Sequence, residues 1–353
     1  MGVVVGIVIA LVALIATIAQ IAALTGAGAT VVGGVIALIP LGVVLLGIRW
    51  VDRWEPEPRY ALAFAFLWGA GVSTLVSLWL NTAFTEAVYL STGNVETAEL
   101  VGAAVGAPVI EEGAKGLGIL IVFLARRRYF DGPVDGIVYG AMVAAGFAFV
   151  ENILYFGTSI DILPQVFVMR GILSPFAHVL FTAAMGIALG LAARSRRRHT
   201  WVWALPIGWA LAVVLHSLWN ASAYTGTFFG LYIVVQVPVF VATVVLVAWL
   251  RSRERRILTV RLAEYAQVGW FAPHEVTMLS SFAGRRAARA WAARGGPQSK
   301  RAMRTFQRAA TELAFTRQRT VTGRADLTTQ RDERALLELI TASRATFLHA
   351  VTR

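Results

Sequence analysis

Cysteine is absent from the chain. That excludes disulfides, thiolate metal sites and a cysteine nucleophile. Lysine is nearly absent: of 32 basic residues, only Lys115 and Lys300 are lysines. Charge of any kind is scarce, at 15% of residues against roughly 25% in an ordinary soluble domain. Hydrophobic residues make up 57% of the 353, and the mean hydropathy is +0.66. A pair of soluble domains, the usual expectation at this length, is therefore excluded. What is there reads as an all-α polytopic membrane protein with a polar appendage. Its richness in Arg, Ala, Gly and Val fits a GC-rich bacterial genome.

The charge is unevenly placed. Residues 1–250 hold 12 Lys+Arg and 12 Asp+Glu, whereas residues 251–353 hold 20 and 8. The whole net charge of +12 thus sits in the last 103 residues. No nucleic-acid-binding motif accompanies that stretch, so anionic membrane lipid is the simpler partner and no nucleic acid is expected. The organisation expected is a membrane domain over 1–250 and a basic helical domain over 251–353.

A hydrocarbon core of about 30 Å needs about 20 apolar residues per helix. Eight such runs occur, at about 3–24, 29–48, 60–81, 100–124, 134–157, 168–193, 201–223 and 228–250. The first lacks the basic start and short apolar stretch of a cleavable signal peptide and is expected to remain a helix. Arg49, Arg53 and Arg59 lie between runs two and three, and Arg126, Arg127 and Arg128 between four and five. Arg194, Arg196, Arg197 and Arg198 lie between six and seven. On the alternate side only Arg170 is basic. Eight spans put these loops and the basic tail on one side, which makes both termini cytoplasmic. In the tail, Pro273-His274-Glu275 can open a helix, and Gly295-Gly296-Pro297 is a stop followed by a start. A last helix is expected over Thr328–Phe347, buried through Leu336, Leu337, Leu339, Ile340 and Phe347.

Ionisable groups inside apolar spans cost about 2.5–3.5 kcal/mol each on insertion scales. Run four nevertheless carries Glu111, Glu112 and Lys115, and run five Glu151 and Asn152. Run six carries His178, and run seven His216 and Asn220. Facing lipid unpaired, the carboxylates and the lysine would cost on the order of 10 kcal/mol, so they are expected to converge. Glu111 and Lys115 are four apart and share a face. Glu112 is turned about 100° away, so Lys115 is expected to hold one carboxylate and leave the other to a cavity. Pro108 is expected to bend the helix and free backbone groups nearby. Gly140, Ala144 and Phe147 share the face of Glu151. Small residues likewise accompany His178 (Thr182, Gly186, Gly190) and His216 (Gly208, Ala212), so the polar groups sit on packing faces. Carboxylate plus imidazole is equipment for activating water, and Glu and His are also zinc ligands. The same set could instead form a proton or cation path.

These residues resemble a known family. Pro108-Val-Ile-Glu-Glu-Gly-Ala-Lys115 is similar to the EExxK signature of the PrsW family of intramembrane proteases. Gly146-Phe-Ala-Phe-Val-Glu-Asn-Ile-Leu-Tyr-Phe156, after Asp135-Gly-Ile-Val-Tyr-Gly140, resembles its FxxxEN segment. Ser174-Pro-Phe-Ala-His178 and Leu215-His-Ser-Leu-Trp-Asn220 resemble its two histidine segments. Asp52-Arg-Trp-Glu-Pro-Glu-Pro58 resembles its acidic, proline-containing turn. The likeness covers about residues 50–225, in order. It implies a bacterial plasma-membrane endopeptidase acting on membrane proteins, with anti-sigma factors as the best-known substrate class. It also implies a distant relation to the CAAX-prenyl protease and bacteriocin-processing families. There a Glu–His pair activates water without metal and a His–Asn pair meets the oxyanion.

By that relation Glu111 or Glu112 is the general base, Lys115 orients the pair, and His216 and Asn220 are oxyanion candidates. In a metalloprotease, Glu151, His178 and His216 would instead be candidate ligands for one divalent ion, zinc first. The resemblance leaves the two mechanisms open. The rival reading is a non-enzyme, either a proton- or cation-coupled carrier or an inactive membrane scaffold. Depth adds one more expectation: Glu151 and His216 fall outward of the midplane, so the site is expected to open toward the extracytoplasmic boundary. Substrate, cleavage site and oligomeric state are not legible.

Overall fold

In hydrocarbon every backbone N–H and C=O must find its partner within the protein, and an apolar run of about 20 residues does so as a helix. The computed structural model accordingly contains helices and no strand among the residues it describes. It describes every residue except Met1, Arg128, Tyr129, Arg196, Arg198, Thr225, Asp326, Leu327 and Arg353. Three arginines of the basic-loop expectation, Arg128, Arg196 and Arg198, thus lie outside the described residues.

The chain falls into two compact units. One comprises Met1–Asp52 and Glu57–Val247, the other Arg53–Pro56 and Ala248–Arg353. The first unit begins with α1 (Gly2–Thr25) and α2 (Ala27–Val51). Gly26, at φ 85°, turns the chain between them in a conformation that side chains resist. Helix α3 (Arg59–Thr92) contains a π-helical turn at Trp68–Ser73. Helix α4 covers 95–125 and is opened by Asn94, whose side chain accepts the Thr97 N–H at 2.9 Å. Next come α5 (Pro133–Thr158), α6 (Ile160–Ala193), α7 (Trp201–Tyr224) and α8 (Phe228–Gln267).

Seven of these eight are long and apolar enough to cross a membrane. Helix α4 is the remaining one, and it carries Glu111, Glu112 and Lys115. Four boundaries differ from expectation. Helix α3 extends well beyond residue 81, and α8 continues unbroken past Arg251 to Gln267. Helix α6 is interrupted at Ser174–Phe176, between a π-helical turn at Val168–Leu173 and the α-helix Ala177–Ala193. At Pro108 there is no sharp break. The π-helical turn Gly102–Gly106 precedes the proline, which then sits at the start of the α-helical stretch Ala107–Ala125 where its missing N–H matters little.

Helix α5 is the most enclosed span, with 72% of its apolar window buried. Glycine makes that possible. A Cβ at Gly136 would lie 1.9 Å from the Gly186 carbonyl oxygen, and one at Gly186 2.0 Å from the Gly136 oxygen. Helices α5 and α6 therefore meet backbone to backbone. Helix α7 packs on α6 and α4, which brings the four motif-bearing helices together. Helix α8 is the least enclosed, at 11%.

The second unit has its own core, built from Leu258 and Leu262 with α9 (Pro273–Leu279), α10 (Phe282–Ala292), α11 (Gly296–Val321) and α12 (Thr329–Thr352). Trp54 belongs to this core and stacks on Phe282 at 3.9 Å. Arg285 is buried there; its Nε donates to the Leu279 carbonyl at 2.7 Å and its Nη2 to Thr311 at 2.8 Å. Of the residues expected to bury α12, Leu336, Ile340 and Phe347 do so. Leu339 does not: one residue before Ile340, it points about 100° away from that face and is exposed.

Candidate functional site

Helix α4 supplies the centre. Positions 111, 112 and 115 lie within one helical turn, and spacings of three and four both bring side chains together. Lys115 and Glu112 are fully buried and Glu111 nearly so. Lys115 Nζ lies 2.8 Å from Glu112 Oε1 and 3.4 Å from Glu111 Oε2. The expectation that lysine would hold only one carboxylate is corrected: its flexible stem reaches both. The ammonium also lies 3.8 Å from the centroid of the Phe147 ring and 3.2 Å from His178 Nδ1.

That last contact assigns a tautomer. An ammonium can only donate, so His178 Nδ1 is the acceptor and the proton sits on Nε2. Nε2 lies 2.7 Å from Glu151 Oε2, an acceptor. His216 is arranged the other way round. Its Nδ1 is 3.1 Å from Glu112 Oε1 and its Nε2 is turned toward Glu111 Oε2, 3.9 Å away. Each imidazole thus has one nitrogen held by a carboxylate and one turned inward. The two rings meet edge to face at 5.2 Å, and Phe181 stacks on His216 at 5.0 Å.

The two glutamates are not equivalent. Glu112 accepts from Lys115, faces His216, and takes the Thr182 hydroxyl on Oε2 at 2.8 Å. Glu111 has Asn81 Nδ2 at 3.2 Å and the longer Lys115 contact. Three close partners pin Glu112, while Glu111 is held more loosely.

Sequence reasoning missed Arg170 and Asn81. Arg170 pairs with Glu151, donates from Nε to Asn152 Oδ1 at 2.8 Å and lies 3.9 Å from the centroid of the Tyr155 ring. Its signal was available: it is the one basic residue on its side of the chain, in a run too apolar to leave it unpaired. Asn81, near the end of run three, carried no comparable signal. Asn220 is engaged elsewhere. Its Nδ2 donates to the Ala103 carbonyl at 2.9 Å, tying α7 to the π-helical turn of α4.

The donor atoms of Glu111, His178 and His216 all lie within 4.8 Å of one another. This is a Glu-His-His set, with Glu111 in the position the sequence had offered to Glu151. The residues fit a cation on the structure's own terms. Glu112 and Glu151 hold the outer nitrogens of the two histidines as carboxylates do behind metal-bound imidazoles, while the inward His178 Nδ1, now engaged by Lys115 Nζ, is the atom an ion would take over. A small cavity of about 20 Å³ adjoins His178, Asn152, Arg170 and Trp219, which is room for one water molecule.

A second polar cluster lies at the other end of α5. Asp52 accepts the Glu57 N–H at 3.0 Å, closing the turn ahead of α3, and the Tyr139 hydroxyl donates to Glu57. Burial pushes the Glu57 carboxyl up to about 9, reinforced by the nearby Asp135 charge. Burial also pushes Asp52 up to about 7, against the Glu57 N–H, which lowers it.

Residues 57–243 match the sequence profile of the PrsW family of intramembrane metalloproteases. Three curated relatives are each described as protease PrsW. The one from Clostridioides difficile (strain 630) is 34% identical over 160 residues, which is 43% of this chain and 62% of that protein. The one from Geobacillus kaustophilus (strain HTA426) is 30% identical over 54% of this chain and 81% of its own length. The one from Bacillus subtilis (strain 168) is 31% identical over 51% and 76%. No solved structure matches the chain.

Proposed function

Because the chain belongs to the PrsW family of intramembrane proteases, we propose that the buried Glu-His cluster is its hydrolytic centre. The observation that carries this reading is convergence. Glu111, Glu112, Lys115, His178 and His216 come from three helices and enclose one another in apolar surroundings. Burying ions together is a poor way to gain stability, so chemistry is the better reason for the arrangement.

Peptide hydrolysis needs a base for water, donors for the oxyanion and a proton for the leaving amine. Glu111, the looser carboxylate, is suited to take the proton from water and pass it to the amine nitrogen. Glu112 is suited to hold Lys115, Thr182 and His216 in place. Arg170 lines the small cavity beside His178 and, with Nε and Nη2 engaged by Asn152 and Glu151, keeps further guanidinium N–H groups for an oxyanion; Asn220 keeps one amide N–H beside its bond to Ala103. A divalent ion held by Glu111, His178 and His216, zinc by the donor types, would supply Lewis-acid activation of carbonyl and water. In that case Glu111 is a ligand and not the base.

The topology proposed is eight spans, with α4 included and both termini cytoplasmic. Glu151 and Arg170 flank the α5–α6 connection, away from the basic loops, which supports opening toward the extracytoplasmic boundary. Substrates of the single-pass, anti-sigma-factor type would be cut near that boundary. The test is cleavage of single-pass reporters by the full chain in proteoliposomes. Loss of cleavage in E111Q and E112Q supports the reading. Cleavage undiminished in both, or none by the unaltered chain while the same glutamates are required for ion flux, overturns it.

A further inference from the structure

An apolar cavity of about 360 Å³ lies between the break in α6, the outer half of α7 and the start of α8. It shares Ser174, Pro175, Ala177 and Trp219 with the small cavity beside His178, so it borders the proposed centre. One wall carries Gln236, at the end of the π-helical turn Tyr232–Gln236. Both the nitrogen and the oxygen of its side-chain amide are buried, and neither has a hydrogen-bond partner among the described residues. Tyr232 in the same turn is satisfied, donating to the Leu173 carbonyl at 2.9 Å. An amide in apolar surroundings with both ends unpaired is costly and needs a reason.

We infer that Gln236 is a substrate-binding residue that pairs with the peptide backbone of an unwound apolar segment lying in this cavity. This rests on the protease reading and adds to it a site and the chemistry it recognises. A glutamine amide offers one acceptor and donors, the complement of a peptide group's N–H and C=O. A helical transmembrane segment has no such groups free, because its own ladder consumes them. Only a segment that has left the helix presents them, and a scissile peptide must leave the helix to be attacked. Gln236 therefore recognises the unwound state, while Leu218, Val239, Phe240 and Leu215 receive the flanking apolar side chains. The loose enclosure of α8 gives such a segment a lateral way in. An acyl chain would fill the same walls but leave the amide unpaired, so lipid is the weaker occupant.

The test uses the full chain in detergent micelles with the E111Q background, so that binding is read without turnover. The probe is an N-acetylated, C-amidated hexapeptide of Leu, Val, Phe and Ala, followed by thermophoresis. The expected result is saturable binding that weakens about tenfold in Q236L, the scale of losing hydrogen bonds to a buried amide, while hexadecanol competes poorly. Q236L should also melt at a higher temperature, because an unpaired polar group has been removed; this separates a binding role from a structural one. Equal peptide affinity in Q236L, no peptide binding, equal competition by hexadecanol, or a lower melting temperature in Q236L each overturns the inference. None of these readouts needs cleavage, so failure of the protease reading would show separately in the reporter assay.

Discussion

Glu112 and His216 are 104 residues apart in the chain and 3.1 Å apart in the structure, carboxylate Oε1 on imidazole Nδ1. The contact fixes which imidazole nitrogen faces inward, and it leaves Glu112 no freedom to act on anything else. Glu111, one residue earlier, is the more loosely held carboxylate, with Asn81 at 3.2 Å and Lys115 at 3.4 Å. E111Q and E112Q should each lower reporter cleavage at least about tenfold, or about 1.4 kcal/mol of barrier. Only E112Q should also lower the melting temperature strongly, because it breaks a fully buried pair. Full activity in the double variant would sink the assignment.

Lys115 contacts two carboxylates, an imidazole and a ring face from one point charge. A planar guanidinium presents its donors in a fixed fork and cannot reproduce that set. K115R should therefore lose activity nearly as fully as K115M, although it keeps the charge. Cleavage by K115R within about twofold of the unaltered chain would show that charge alone matters at this position.

The Glu111, His178 and His216 donors predict zinc bound at about one ion per chain. E111Q and H216A should lose it on dialysis, whereas E151Q, which alters the carboxylate behind His178 and its pair with Arg170 but no ligand atom, should retain most of it. Elemental analysis of the purified variants decides the point. Chelator-resistant cleavage by zinc-free protein would select the metal-free glutamic route.

Glu57 predicts a pH dependence outside the membrane spans. Burial raises its folded value to about 9, so the folded chain holds this proton more tightly than the unfolded one. The stability it contributes is complete below the unfolded value of about 4.5 and is lost as pH rises toward about 9. Melting temperatures of the full chain should fall across that window, and E57Q should flatten the slope. An equal slope in E57Q would point to another group.

The basic tail is predicted to be cytoplasmic. Protease added outside intact cells should leave residues 268–353 uncut, and proteolysis there would contradict the eight-span topology.

Much of this was readable without coordinates. The apolar runs announced the helices, because lipid leaves the backbone no alternative. The charged residues inside those runs announced their own convergence, because none can face lipid alone. The pairings among them were not readable. Lys115 reaching both glutamates depends on side-chain flexibility, and the grouping of Glu111, in addition to Glu151 beside His178, with both histidines depends on helix rotation. Nor was the bond from the Asn220 amide to the Ala103 carbonyl readable, because it depends on where the π-helical turn of α4 falls. The break at Ser174–Phe176 was announced only by Pro175, which a straight-helix reading passed over.

The contact between Gly136 and Gly186 has a consequence for how this molecule can change over generations. Every single-base codon change that replaces glycine by another residue adds at least a methyl group. Here a methyl would sit about 2 Å from the opposing carbonyl on either helix. Both positions are therefore mutational dead ends, although neither takes part in any reaction. The spacing of these motif-bearing helices is inherited through two residues whose whole contribution is to take up no room.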